Sequence, residues 1–168
     1  MKTVPAKEKI KSIEELEKIV EEARKKGKTI VTTNGCFDIL HIGHVRYLQD
    51  AAKLGDLMIV GINGDASVRK LKGKNRPVVP EGERAEVVAS LGCVDYVFIF
   101  NEDDPVVFAG RLKPHFHAKG GDYSEKKMIE REIVEKHGGK IIILKEEKGY
   151  STSSTIKKIN ERGDKNDA

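Results

Sequence analysis

Five short apolar runs separated by helical stretches constrain this chain more than any other feature. They fall at 29–33, 57–62, 96–100, 116–119 and 140–144, the length of buried strands rather than helices. Between them the pattern turns helical. Ser12 can cap a helix whose Glu15 completes a capping box, with Ile13, Leu16, Val20 and Ala23 as its apolar stripe and Gly27 as its stop. Further helices are expected over 45–54, from about 65, over 81–91 and 105–112, and over 124–137 before Gly138 and Gly139. A basic loop at 70–80 contains Gly73, Pro77 and Pro80, and a last helix opens from Ser151 near Ile156. Strands alternating with helices of this length give an α/β fold, a mostly parallel five-stranded sheet between two helical layers. Such sheets bind ligands at the carboxyl ends of their strands.

One core suits 168 residues. The expected division is an N-terminal helix on the core (1–28), the main domain (29–161) and a frayed polar tail (162–168). A net charge of +4 is too mild to indicate nucleic-acid binding. Cys36 and Cys93 are too few for a disulfide scaffold. No apolar run approaches the roughly 18 residues of a membrane span, and no signal peptide opens the chain. A reduced, cytoplasmic protein with no membrane contact is expected. An apolar helix face could support a homodimer. Neither GxGxxG nor a Walker A sequence is present, which argues against dinucleotide and P-loop sites.

The sharpest local feature is T-N-G-C-F-D-I-L-H-I-G-H, Thr33 to His44, directly after the first strand. Gly35 permits close approach of backbone to a ligand, and Gly43 leaves room between the histidines. A helix starting within the segment would offer free N–H groups and a favourable dipole to phosphate. Gly35, Cys36, Phe37, Asp38 and Gly43 are therefore candidate nucleotide contacts. His41 and His44, three apart at a helix start, can project together and donate hydrogen bonds to phosphate oxygens that gain charge during displacement. They are the candidate catalytic pair. Two other readings stand beside this one, histidines that only cap or pack and a zinc pair. The zinc pair lacks an evident third ligand, and no metal site is expected.

Three weaker elements accompany it. Ser151, Thr152 and Ser153 bring hydroxyls to a helix start, which suits phosphate oxygens or an ordinary cap. Lys119, Gly120, Gly121 and Asp122 follow the fourth strand, where glycines would admit a base or ribose, or simply form a turn. Lys70, Lys72, Lys74 and Arg76, with Arg84 beyond, form a basic stretch. Lys72, Arg76 and Arg84 are candidates for an acceptor phosphate or pyrophosphate, with an ordinary solvated surface as the other reading.

The segment Thr33 to His44 resembles the signature of the HxGH nucleotidyltransferases, whose fold is a Rossmann-like three-layer α/β/α sandwich. The resemblance implies that His41 and His44 contact the triphosphate and stabilise the transition state. It also implies that Ser151–Ser153 hold the outer phosphates. H-I-G-H also occurs in class I aminoacyl-tRNA synthetases, but K-M-S-K-S and an anticodon-reading part are missing. K-L-K-G-K-N-R-P-V, E-R-A-E-V-V-A-S-L-G-C-V-D-Y-V, L-K-P-H-F-H-A-K-G-G-D-Y and G-Y-S-T-S-S-T-I-K-K-I together resemble the D-glycero-β-D-manno-heptose 1-phosphate adenylyltransferases over about Ile13 to Ile159. That resemblance implies transfer of AMP from ATP, with Mg²⁺ bound through its phosphates, to a heptose phosphate for lipopolysaccharide-type precursors. Many relatives are fused to a sugar kinase, and a chain of this length resembles the stand-alone form.

His115 and His117 depart from the family pattern. They alternate on a strand and read as incidental, with a metal pair as the other reading. Ser153-Ser154 replaces the usual Thr-Asn. A glycerol-3-phosphate cytidylyltransferase or an FAD-forming adenylyltransferase is the nearest rival. The stretch Leu144 to Lys148 lacks the arginine typical of the former. A non-catalytic nucleotide-binding module is the rival of a different class.

Overall fold

In the computed structural model, which describes residues 4–121, 128–145 and 149–163, the five apolar runs form one sheet in the order β3-β2-β1-β4-β5. Every pairing is parallel. The strands are β1 (Ile30–Gly35), β2 (Leu57–Asn63), β3 (Tyr96–Phe100), β4 (Phe116–Gly120) and β5 (Lys140–Leu144). The helices are α1 (Ala6–Lys9), α2 (Ile13–Lys25), α3 (Ile42–Ala52), α4 (Asp65–Lys72), α5 (Glu81–Ala89), α6 (Val106–Leu112), α7 (Arg131–Lys136) and α8 (Thr152–Gly163).

Strand alternation divides the core in two. Val31, Met58 and Val60 face Leu48 and Ala51 of α3 and Ala85, Val88 and Ala89 of α5. Their neighbours Ile30, Leu57 and Ile59 face Leu16, Val20 and Ala23 of α2, Phe108 and Leu112 of α6, and Val134 of α7. The period of two thus sends adjacent residues into separate helical layers. β2 is buried along its whole length, as a central strand covered on both faces must be. The expected capping box is present. Ser12 N–H donates to Glu15 Oε2 at 2.8 Å, and Glu15 N–H to Ser12 Oγ at 3.2 Å.

Four elements differ from expectation. α3 starts at Ile42, inside the motif, because His41 caps it. α4 continues to Lys72, so Lys70 and Lys72 are helical and the loop begins at Gly73, whose φ of 99° ends the helix. α7 begins only at Arg131, and the start expected at Ser124 lies outside the described residues. α1 was not expected. The segment after it pairs with the sheet edge, where Lys11 N–H donates to the Val97 carbonyl at 2.9 Å. That contact is non-local and leaves no period in the sequence.

The chain lays β1, β2 and β3 outward in one direction and returns to place β4 on the other side of β1. The resulting switch point lies between the carboxyl ends of β1 and β4, where such sheets open a crevice.

Candidate active site

A cavity of about 550 Å³ sits at this switch point. Its floor is Asn34 and Gly35 from β1 and Lys119 and Gly120 from β4. The starts of α3 and α8, the end of α4 and the Asp103–Pro105 turn form its walls. Two helix N-termini therefore meet one space, which favours an anion. The Thr152 hydroxyl joins them, donating to the Ile39 carbonyl at 3.4 Å.

His41 and His44 lie side by side, with ring centroids 3.7 Å apart and planes 20° from parallel. His44 N–H donates to His41 Nδ1, and His41 N–H to His44 Nδ1, each at 3.4 Å. These bonds are long and weak, but their direction matters. A neutral ring whose Nδ1 accepts carries its proton on Nε2, the nitrogen away from the helix backbone. Capping and ligand binding, opposed as readings of the sequence, are compatible in one residue. Burial, then the neighbouring His41, lowers the His44 pKa to about 4. It is a neutral donor near pH 7 rather than a base.

The glycines serve neighbouring rings. A Cβ on Gly43 would lie 3.0 Å from His41 Nδ1 and 3.2 Å from Tyr150 Cβ, and one on Gly35 would lie 2.8 Å from the Phe37 ring. Phe37, at a left-handed φ of 44°, sets its ring edge-on to His44 with centroids 5.3 Å apart. The Cys36 thiol also lines the cavity, and burial pushes its pKa up.

Ser151, Thr152 and Ser153 line the same cavity, beside the start of α3. Ser151 Oγ accepts from Ser154 N–H at 3.1 Å, an N-cap that leaves its own proton available. Lys72 reaches the cavity, whereas Lys70 pairs with Asp103 at 2.7 Å. Gly121 is exposed beyond the lining, and Asp122 lies outside the described residues.

Two expected ligand contacts have other work. Arg84 is 1% exposed and does not line the cavity. Its guanidinium donates to the carbonyls of Val79 and Asn63 at 2.9 and 2.8 Å, to the Cys36 carbonyl, and to Asp65 Oδ1 at 2.7 Å. It stitches β1, β2 and the loop before α5 together. Asp38 borders the cavity, but its carboxylate accepts from Val78 and Val79 N–H at 2.9 Å and from Arg76. Burial opposes its charge, yet the Val79 and Val78 amides and the Arg76 guanidinium hold the carboxyl below its usual range. Asp38 thus anchors the loop that carries Arg76.

His115 Nδ1 accepts from Ile30 N–H at 2.9 Å. His117 Nδ1 lies 2.8 Å from Thr32 Oγ1, and burial, then the charge of Lys119, pushes its pKa well down. Among the described residues no group of three His, Cys, Asp or Glu side chains could hold a metal, and no helix is long and apolar enough to cross a membrane. Asn34, Tyr150 and Glu130 belong to the lining but were not singled out. The first two lie inside or beside the quoted motifs. Glu130 arrives through tertiary folding and has no local signal.

The family model described as cytidylyltransferase-like matches residues 32–159. The bifunctional protein HldE of Pelobacter propionicus is 50% identical over 154 residues, 92% of this chain and 32% of that protein. HldE of Syntrophotalea carbinolica is 46% identical over 154 residues, again 92% of this chain and 31% of that protein. The chain thus spans about a third of the length of these relatives. A lipopolysaccharide core biosynthesis protein from Thermoplasma volcanium superposes with a TM-score of 0.62 at 29% identity, covering 74% of this chain and all of that one. Pantoate-β-alanine ligase from Francisella tularensis (TM-score 0.57, 17% identity, 81% of this chain and 66% of that one) shares the fold. The matched span takes in the imidazole pair and the start of α8 together, and the chain belongs to the cytidylyltransferase-like family.

Proposed function

We propose that the chain transfers AMP from ATP to D-glycero-β-D-manno-heptose 1-phosphate and releases pyrophosphate. The observation that carries this reading is the stacked imidazole pair lining one cavity together with the hydroxyl-bearing start of α8. The four quoted motifs and the similarity to a lipopolysaccharide core biosynthesis protein support a sugar phosphate as acceptor.

An acceptor phosphate oxygen bonds to the α-phosphorus while the bond to the oxygen bridging to the β-phosphorus breaks and pyrophosphate leaves. The acceptor phosphate is already ionised, so no general base is required. The Nε2–H groups of His41 and His44 donate to α- and β-phosphate oxygens and strengthen as charge grows there. Ser151, Thr152 and Ser153 hold the outer phosphates, and Lys72, with Arg76 on its anchored loop, serves the acceptor or the leaving group. Mg²⁺ bound through the ATP phosphates would help neutralise the leaving pyrophosphate.

Pyrophosphate release, measured with ATP or CTP against heptose 1-phosphate, glycerol 3-phosphate and FMN, tests the proposal. ATP with heptose 1-phosphate should be the productive pair, and His41→Ala or His44→Ala should cut turnover by more than about tenfold in a folded protein. Release only from CTP with glycerol 3-phosphate, or ATP with FMN, assigns a sister activity. Nucleotide binding with no release from any pair leaves a binding module.

A further inference from the structure

The cavity floor holds an ion pair to which the reaction above gives no task. Lys119 is 4% exposed and Glu130 3%. Lys119 Nζ lies 2.6 Å from Glu130 Oε1, a close charge contact rather than an aligned hydrogen bond, and 2.9 Å from Asn34 Oδ1. All three residues line the cavity. Behind them His117 Nε2 stands 3.7 Å from the same carboxylate oxygen.

Burying two charges costs several kcal/mol per ion before their attraction is counted. The other buried pairs offset this by fixing loops, Asp38 through two backbone amides and Arg84 through three carbonyls. The Glu130 carboxylate takes no backbone N–H among the described residues. A carboxylate beside a triphosphate also repels it, so attraction of ligand cannot be its purpose. What it supplies is restraint. A lysine ammonium sits on a flexible four-carbon stem, and a partner on each side removes that freedom before a ligand arrives.

We infer that Glu130 is a positioning residue, which holds the Lys119 ammonium at the junction of β1 and β4 where it meets an oxygen of the bound nucleotide. This rests on the reading of the cavity as an ATP site. Reach, not charge, is then the property that counts. Gln at 130 still presents an oxygen to Lys119, whereas Asp keeps the charge but falls one methylene short.

The test compares E130Q, E130D, E130A, K119M and K119M/E130D by ATP affinity, ATP KM, kcat and thermal midpoint. E130Q should stay within about threefold of the unaltered protein in ATP KM. E130D and E130A should raise KM and Kd for ATP by about tenfold, with kcat changed far less. K119M/E130D should bind ATP no worse than K119M, since both changes remove one contact. If E130A does not fold, E130D against E130Q carries the comparison. E130D with unaltered ATP affinity, a lowered midpoint alone, tighter binding in E130A, or additive losses in the double variant would each overturn the inference. Absence of ATP binding by the unaltered protein would instead sink the nucleotide reading.

Discussion

Gly43→Ala separates the geometry of the imidazole pair from the stability of the fold. Gly43 is the second residue of α3 and does not have a positive φ. A methyl group there meets no backbone strain, and replacing glycine by alanine at a compatible position stabilises by about 0.4–1 kcal/mol. That gain raises the melting temperature by up to roughly 2–4 °C in a chain of this size. The methyl would nonetheless lie 3.0 Å from His41 Nδ1 and 3.1 Å from its Cε1, whereas ordinary contact begins at 3.4 Å. The ring must retreat by about 0.4 Å, and His44, stacked at 3.7 Å, blocks part of the retreat. A misplacement of 1 Å can cost about a hundredfold, so this displacement should lower kcat by roughly tenfold. Complete loss of one donor, about 10²–10³-fold, is the upper bound. Pyrophosphate release and thermal unfolding of the same sample read both effects. Unaltered kcat would refute the claim that ring placement is limiting, and a drop in kcat and melting temperature together would make the loss a folding defect.

His44 should titrate near pH 4 in the free protein, followed through its Cε1–H resonance. Between about pH 6.5 and 4 the unfolded chain takes up a proton that the folded ring refuses, so this group lowers stability as pH falls through that window. A midpoint near 6.5 would show that the ring is not desolvated as the packing requires. Arg84→Met should destabilise by about 3–5 kcal/mol, because it leaves Asp65 and three carbonyls without their cation. An unchanged melting temperature with a raised acceptor KM would return Arg84 to the substrate.

Local physics wrote much of this molecule into its sequence. The strands at Tyr96–Phe100 and Lys140–Leu144 begin and end where their apolar runs do, since a short run of β-forming apolar residues sets its own length. The Ser12–Glu15 capping box needs residues only three apart. The two cavity walls were legible for a similar reason. His41, Gly43 and His44 lie within one helical turn, and the hydroxyls Ser151–Ser153 are contiguous.

What tertiary structure decided is the work of each charge. Arg84 follows a helix-opening glutamate and looks like a surface cation, yet α5 turns it inward beneath carbonyls from Cys36 and Asn63. Asp38 lies within the motif but spends its oxygens on a loop forty residues away. Glu130 reaches Lys119 only because the residue at the start of α7 lies against the end of β4. A hydrophobic period states which face is buried and a short motif states which groups are neighbours. Pairing of a charge depends on which distant backbone or counter-ion folding brings within a few ångströms, and no local pattern carries that distance.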